Sequence, residues 1–348
     1  MKTKVSKIVI NESNIPEGLD VTVRFRSFSE IRTGIFTLLQ RIKIFYPNAK
    51  VFYLHDNPNF MASFLKRNPN CEPYNNEAYD LEYAPIGYCP WELFPQISEQ
   101  MDKDLSIYKD LKKWITKIKV KPEKYSVQGK SKNLYIHPNA IIYPNVVFDV
   151  TSGPIVIDKG VKITSFSFLE GPLYVAPDAS IDSARITGST IIGQNCKIGG
   201  EIENSIFGDF SNKHHEGFVG HSYIGNWVNL GALSTTSDLK NNYGIVRIQI
   251  AEKKINTNTI KFGSIIGDYT KIAIGTMLNT GTVIDMGCNI TDSKVKGYVP
   301  AFTWTDGNER YRLDHFLKDT KKIMARRDKS LNTEDENLIR QLYEDEIP

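Results

Sequence analysis

Aliphatic residues return at every sixth position through the middle of this chain. Ile136 and Ile142 are followed by Ile157, Ile163, Leu169, Val175 and Ile181. After a one-residue slip come Ile192 and Ile198, then Ile224 and Leu230, and a last series Ile266, Ile272, Leu278, Ile284 and Ile290. Glycine often stands directly after the aliphatic residue, as in Ile192-Gly193, Ile198-Gly199, Ile224-Gly225, Leu230-Gly231 and Ile266-Gly267. A six-residue period predicts a parallel β-helix in which each unit contributes one short strand and one corner. The aliphatic residue points inward and stacks on its counterparts in neighbouring coils. Glycine or asparagine supplies the backbone angles that a tight corner requires.

The flanking regions follow other periods. Before residue 126, strand-like pieces such as Lys7-Ile8-Val9-Ile10 and Ala49-Lys50-Val51-Phe52-Tyr53-Leu54 alternate with helical ones. Ile31, Ile35, Leu38, Leu39 and Ile42 predict a helix over residues 29–44. Ile97, Met101, Leu105, Leu111 and Trp114 predict another over 95–118. A small α/β domain fits residues 1–125, the β-helix residues 126–304, and a helical tail residues 305–348. In the tail, Leu313, Phe316, Leu317, Ile323 and Met324 form one stripe. Thr333-Glu334-Asp335-Glu336 reads as a capping box that opens a last helix. The open end of a solenoid needs covering, so the tail is expected to cap it.

Two segments interrupt the six-residue period, 207–218 and 234–261, and are expected to leave the coil as loops over a neighbouring subunit or cleft. The first carries Asn212-Lys213-His214-His215-Glu216-Gly217-Phe218-Val219-Gly220-His221. An aliphatic scaffold has no structural need for clustered imidazoles. Their near-neutral pKa suits proton transfer, so His214, His215 and His221 are all candidates for a general base, with Glu216 or Asp209 available to orient an imidazole. Loop hydrogen bonding at a subunit contact is the structural alternative. A metal site built from the three histidines lacks a fourth ligand at a fixed offset, and no metal is predicted. In the second segment, Lys240, Asn241 and Tyr243 are candidates for polar ligand contacts, Lys240 as a charge partner, beside the equal reading of the same residues as a turn held by Asx interactions.

Composition narrows the class. The chain has 348 residues, 24% of them charged, and a net charge of +3, too small to argue for nucleic acid. No apolar run approaches membrane-spanning length, and the stretch after the basic Met1–Lys7 is too polar for a signal sequence. The four cysteines are scattered without a C-x-x-C pair, which fits free thiols and a cytoplasmic location.

The segments Gly199-Gly200-Glu201-Ile202-Glu203, Ser211-Asn212-Lys213, His215 to Ser222, Trp227 to Ala232 and Ser237 to Asn241 resemble the left-handed β-helix (hexapeptide-repeat) acyltransferases. Within that group they are similar to the GlmU type, the glucosamine-1-phosphate N-acetyltransferase half of bifunctional UDP-N-acetylglucosamine pyrophosphorylases, and to its sugar nucleotidyltransferase-like relatives. The resemblance implies a left-handed coil with triangular cross-section, acetyl-CoA as co-substrate, an amino-sugar phosphate or nucleotide sugar as acceptor, and a homotrimer. Aligned without gaps from Arg185 to Ala232, it implies Arg185 as the sugar-phosphate ligand, His215 as base and Asn229 in the acceptor site. Lys213 is a further substrate-binding candidate. Acyl-CoA is expected along the later coils near Ala273 and Thr276, with Lys294 for its phosphates. Glu203, Phe218 and Asp238 depart from the pattern, where a lysine, a tyrosine and an asparagine are expected. Glu203 would repel a phosphate unless it pairs with Arg185 or the pocket holds a different sugar.

The N-terminal region lacks the glycine-rich loop and following arginine that cradle a triphosphate. Only Gly18 precedes Arg24, and the region is about half the length such a domain needs. Arg24, Arg26 and Arg32 are read as surface or packing arginines of a reduced domain rather than retained phosphate contacts, which argues against uridylyl transfer. Two functional readings remain: an acyl-CoA-dependent N-acyltransferase, and a non-catalytic sugar-phosphate or nucleotide-binding scaffold with a degenerate N-terminal domain.

Overall fold

A computed structural model describes residues 5–107, 125–305 and 309–346. The N-terminal region forms a parallel sheet of β1 (Lys7–Asn11), β2 (Lys50–Leu54), β3 (Cys71–Pro73) and β4 (Leu81–Tyr83), in the order β3-β2-β1-β4. Parallel neighbours need crossovers. Helices α1 (Leu38–Phe45) and α2 (Pro58–Arg67) lie in two of them.

The first predicted helix is shorter than its apolar spacing suggests. Residues 28–30 make one 3-10 turn, and α1 begins only after Thr37, whose hydroxyl accepts from Gln40 N while the Gln40 side chain accepts from Thr37 N. The reason is tertiary. The buried Asp104 carboxylate accepts from the backbone N–H groups of Ile35 and Phe36 and pairs with Arg41 at 2.7 Å. Those amides are therefore withdrawn from any helix, while Ile31 and Ile35 still reach the core. The second predicted helix is realised as α3 (Ile97–Ile107); Leu111 and Trp114 lie outside the described residues.

Residues 125–305 wind into a left-handed parallel β-helix with three faces. The first face stacks nine strands from Leu134–Ile136 to Tyr298–Val299. Its inward residues form one column, with Val175 beside Ile192, Ile192 beside Phe207, Phe207 beside Ile224, and Ile224 beside Ile266. Every predicted rung position is buried except Ile142, which is half-buried near the first coils. Columns of this kind bury apolar area continuously, which is the main stabilising term for a solenoid.

The expected break over 207–218 does not occur. Phe207, Lys213 and Val219 stand six residues apart and all three are buried inside the coil. The period continues while the residue type changes, and Lys213 takes an aliphatic position. The second break is real but later and differently directed. Thr235–Thr236 still pairs in the third face. The excursion after it carries an antiparallel hairpin of Arg247–Ile250 and Lys253–Asn256. This hairpin folds onto the chain's own N-terminal region, with Lys253 paired to Glu17 at 2.9 Å and Phe262 packed on Trp91 and Phe94.

The outer surface of the first face is therefore covered by the same chain. Outward residues Val156, Tyr174, Ile191, Ile206, Tyr223, Ile265 and Val283 share one core with Leu19, Val21, Val23 and Phe25. Arg24 pairs with Asp285, Arg26 with Asp268 at 3.3 Å, and Arg32 lies over the Tyr174 ring at 5.3 Å. The three arginines tie the N-terminal region to the coil.

Within the tail, Glu309–Arg310 pairs with the last coil strand, Thr303–Trp304, and the helices pack on the flank. The tail's first helix, α4 (Leu313–Ala325), runs back along the corner between the first and second faces, and α5 (Thr333–Asp345) packs on α2. Asn332, one residue before the predicted box, caps α5 by accepting from Asp335 N. Asp335 in turn pairs with Arg67, which also holds Glu30. An uncompensated buried carboxylate is costly, so Asp335 draws α5 onto the N-terminal domain.

Candidate active site at a histidine-bearing corner

The second face ends at Asn212–Lys213 and the third face begins at Phe218–Gly220. The chain between them, 214–217, is a corner of the prism. A charged side chain in an aliphatic column must bring its own partners. Lys213 does so by donating from Nζ to the carbonyls of His215 and Glu216, the latter at 2.9 Å. Burial pushes its pKa down to about 8, against the opposing charge of Glu216. Lys213 is wholly buried, which corrects its assignment as a substrate ligand. It is a strut that pins the corner from inside.

Glycines let the corners stack this closely. A Cβ on Gly199 would lie 2.1 Å from the His214 carbonyl, and one on Gly217 would lie 2.2 Å from that of Ser234. Gly217 also has φ +125, which other residues rarely adopt. Gly199 has a second consequence. Asp182 is its in-register neighbour below, and Lys213 pairs with Ile198, so His214 lies above Gly199. With no side chain between them, Asp182 and His214 meet across two coils, Oδ2 to Nε2 at 2.6 Å.

Each histidine has a different setting. His214 is held by Asp182. His215 is exposed, with its ring 4.9 Å from that of His214. His221, at φ 45, lies on the third face's far side and binds Asp238 through Nδ1 at 2.7 Å. Burial alone would raise the pKa of Asp238, but the His221 hydrogen bond and charge, with Lys261 nearby, hold it below the usual carboxylate range. Neither expected orienting acid fills that role: Glu216 is exposed, and Asp209 accepts from Gln194 N at 2.9 Å. Glu203 is not neutralised by Arg185. It pairs with Lys261 at 3.1 Å, while Arg185 pairs with Glu201.

The remaining candidates divide between faces. Arg185, Glu201 and Phe218 form one ladder on the third face. Asn229 is exposed on the second face beside Asn212, so the corner carrying His214 and His215 separates it from Arg185. Lys240 donates to Ile245 O at 2.7 Å, and Gly244 N donates to Asn242 Oδ1, an Asx turn that leaves Asn241 and Tyr243 exposed at the tip. Ala273 lies at the end of the second face on a later coil, along the same edge as His215. Thr276 is wholly buried with its hydroxyl donated to Asp292 O, so its side chain is not available to a cofactor. Lys294 is exposed on the third face beside Met277.

Sequence reading missed Asp182 and Lys261. Asp182 was accessible by writing the coils in register. Lys261 was not, because it returns from an excursion whose length no repeat sets. Among the described residues, no group of three or more His, Cys, Asp and Glu side chains could hold a metal, and no helix is long and apolar enough to cross a membrane.

No family model matches the chain. It is GlmU-like in sequence. It is 28% identical over 292 residues to the bifunctional protein GlmU of Thermodesulfovibrio yellowstonii, covering 76% of this chain and 58% of that protein. It is 37% identical over 104 residues to GlmU of Bartonella bacilliformis, covering 29% of this chain and 22% of that one. The chain thus spans less than two thirds of the length of these relatives. Among solved structures, the acetyltransferase domain of PglB from Neisseria gonorrhoeae in complex with acetyl coenzyme A aligns over 84% of this chain and 97% of that domain, at 12% identity and a TM-score of 0.20.

Proposed function

We propose that this GlmU-like chain is an N-acyltransferase that moves an acyl group, acetyl in the first instance, from coenzyme A to the amine of an amino-sugar phosphate or nucleotide sugar, with His215 as general base. The observation that carries this reading is the corner itself: an exposed imidazole on a backbone held from beneath by Lys213. In the reaction the amine nitrogen attacks the thioester carbonyl and the imidazole takes the proton that nitrogen sheds. The tetrahedral intermediate then expels the coenzyme A thiolate. A histidine suits this step because its ordinary pKa lies near neutrality. Arg185, exposed beside Glu201, is the side chain proposed to meet the acceptor's phosphate, since a guanidinium exchanges one carboxylate for a phosphate at little cost. Asn229, Lys240, Asn241 and Tyr243 are proposed as further acceptor contacts. Ala273 and Lys294 are proposed to lie along the coenzyme A path, with Thr276 contributing backbone only.

The edge between the second and third faces exposes Phe166, Leu233, Ile274 and Met277. An apolar ridge on a flank supports trimer packing with sites between subunits, which sedimentation at several concentrations tests. Uridylyl transfer is not proposed, because Arg24 and Arg26 are committed to Asp285 and Asp268.

The deciding experiment is acetyl transfer from acetyl-CoA across a panel of amino-sugar phosphates and nucleotide amino sugars. Turnover is expected, with His215→Ala slower by roughly 10²-fold or more. Absence of transfer on the whole panel, or full activity in His215→Ala, rejects the reading. A second assignment is favoured by one observation: Asp182 binds Nε2 of His214 and leaves Nδ1 free, the arrangement of an oriented base. If His214→Ala and Asp182→Asn lose more activity than His215→Ala, the base is His214.

A further inference from the structure

The corners between the first and second faces carry aromatic residues in a backbone region that favours glycine and asparagine: Phe210, Trp227, Tyr269 and Phe302 all have φ between 56 and 64. Such strain persists only where packing over-determines it. Over Tyr269 and Phe302 the packing is plain, because Phe316 of α4 makes edge-on contacts with both. Phe210 and Trp227 lie beyond Phe316, largely buried and stacked on each other at 4.2 Å and 2°, with Lys329 over the Phe210 ring at 5.9 Å. Between them and the end of α4 is a recess of about 270 Å³, lined also by Asn212, Asn229, Lys271, Arg326 and Arg327.

Three features of this recess point to an anion. Its lining residues include three cations and no carboxylate. The Lys271 ammonium is buried and makes no hydrogen bond among the described residues, its contacts being the faces of Tyr311 and Phe316 at 5.2 and 5.6 Å. An ammonium has three donors to satisfy, and leaving them unmade out of water costs free energy. Burial accordingly pushes its pKa down to about 8, with Asp319 opposing. Finally, Arg327 is oriented by donating to Asn212 Oδ1 at 3.0 Å, which leaves its other guanidinium donors for a ligand.

We propose that this recess is a binding site for a phosphorylated small molecule, its phosphate held by Lys271, Arg326 and Arg327 and its ring against Phe210 and Trp227. The site lies on the second face, inside one chain, and does not rest on the acyl-transfer reading.

The test is calorimetric titration of the full chain with inorganic phosphate, glucosamine 1-phosphate and uridine diphosphate, none of which requires turnover. Wild type is expected to bind at least one of the two organic phosphates more tightly than inorganic phosphate. Lys271→Met and Arg327→Gln are each expected to weaken that binding by about tenfold, which is about 1.4 kcal/mol. Arg312→Gln, an exposed arginine elsewhere on the tail, is expected to leave it unchanged. Should Lys271→Met not fold, Arg327→Gln carries the measurement alone. No binding of any of the three anions, or binding unaffected in the folded variants, overturns the site. Equal affinity for phosphate and the organic phosphates overturns the role given to the two rings.

Discussion

Two edges of the same prism, built by the same repeat, have opposite fates. At the edge between the first and second faces, aromatic residues stand at the corners and α4 closes over them, with Phe316 wholly buried against Tyr269, Phe302 and Tyr311. At the edge between the second and third faces, the corners carry Gly199 and Gly200, buried between coils, and the 214–217 segment, in which His215 and Glu216 are exposed. Leu233 and Ile274 there are 64% and 76% exposed. The inward columns are alike at both edges, so what distinguishes them is the outward residue at each corner. Large rings recruit a covering element by burying area. Glycines let successive corners stack directly on one another, and the imidazole of His215 stays exposed.

This contrast can be broken at the closed edge first. Phe316→Ala is expected to cost about 3–5 kcal/mol, the range for deleting a buried aromatic side chain, and to release the tail to proteolysis. Chemical denaturation and limited digestion check both outcomes. An unchanged midpoint with an intact tail means that packing on the aromatic corners does not hold α4.

A control away from both edges is of comparable size. Burial pushes the Glu12 carboxyl up to about 8, the hydrogen bonds from Ser27 opposing only partly. Its folded pKa is thus above its unfolded value, and the fold binds this proton more tightly. The contribution is whole below about pH 4.5, declines as pH rises, and is lost by about pH 8. Over that window this group is expected to cost wild type on the order of 5 kcal/mol, a dependence that Glu12→Gln removes. Urea midpoints measured across the window decide it, and parallel slopes in the two proteins would contradict the assignment.

At the open edge, Lys213→Met leaves the carbonyls of His215 and Glu216 without their donor. The expected loss is about 1–3 kcal/mol, together with a fall in kcat larger than any change in KM, because the corner loses its position rather than its substrate contacts. Retained kcat in a folded Lys213→Met protein would show that the strut does not position His215. The smallest effect is expected for Leu233→Ser. Its side chain is exposed, so subunit stability is expected to change by no more than about 0.5 kcal/mol, whereas sedimentation is expected to report weaker self-association. An unchanged association state would remove this ridge from the interface.

Much of the scaffold was legible in the residues alone. The columns from Ile157 to Ile290 follow from a period that every coil must obey, since each inward residue meets its counterparts directly above and below. The histidine corner was also visible, because His214 and His215 bring imidazoles to a scaffold with no structural use for them, although the period they were expected to break runs through. Tertiary structure decided what period cannot encode. It turned Lys213 inward, because two carbonyls of its own corner were there to receive it. It joined Asp182 to His214 across the gap that Gly199 leaves, and Glu203 to Lys261 across an excursion of arbitrary length. It delayed the predicted helix to Leu38, because the Asp104 carboxylate took the amides of Ile35 and Phe36, and sent the tail along the flank to Arg67. In each case the partner is distant in sequence and the energy is that of satisfying a buried polar group. A linear pattern records where such a group stands, and only the packed fold determines what meets it.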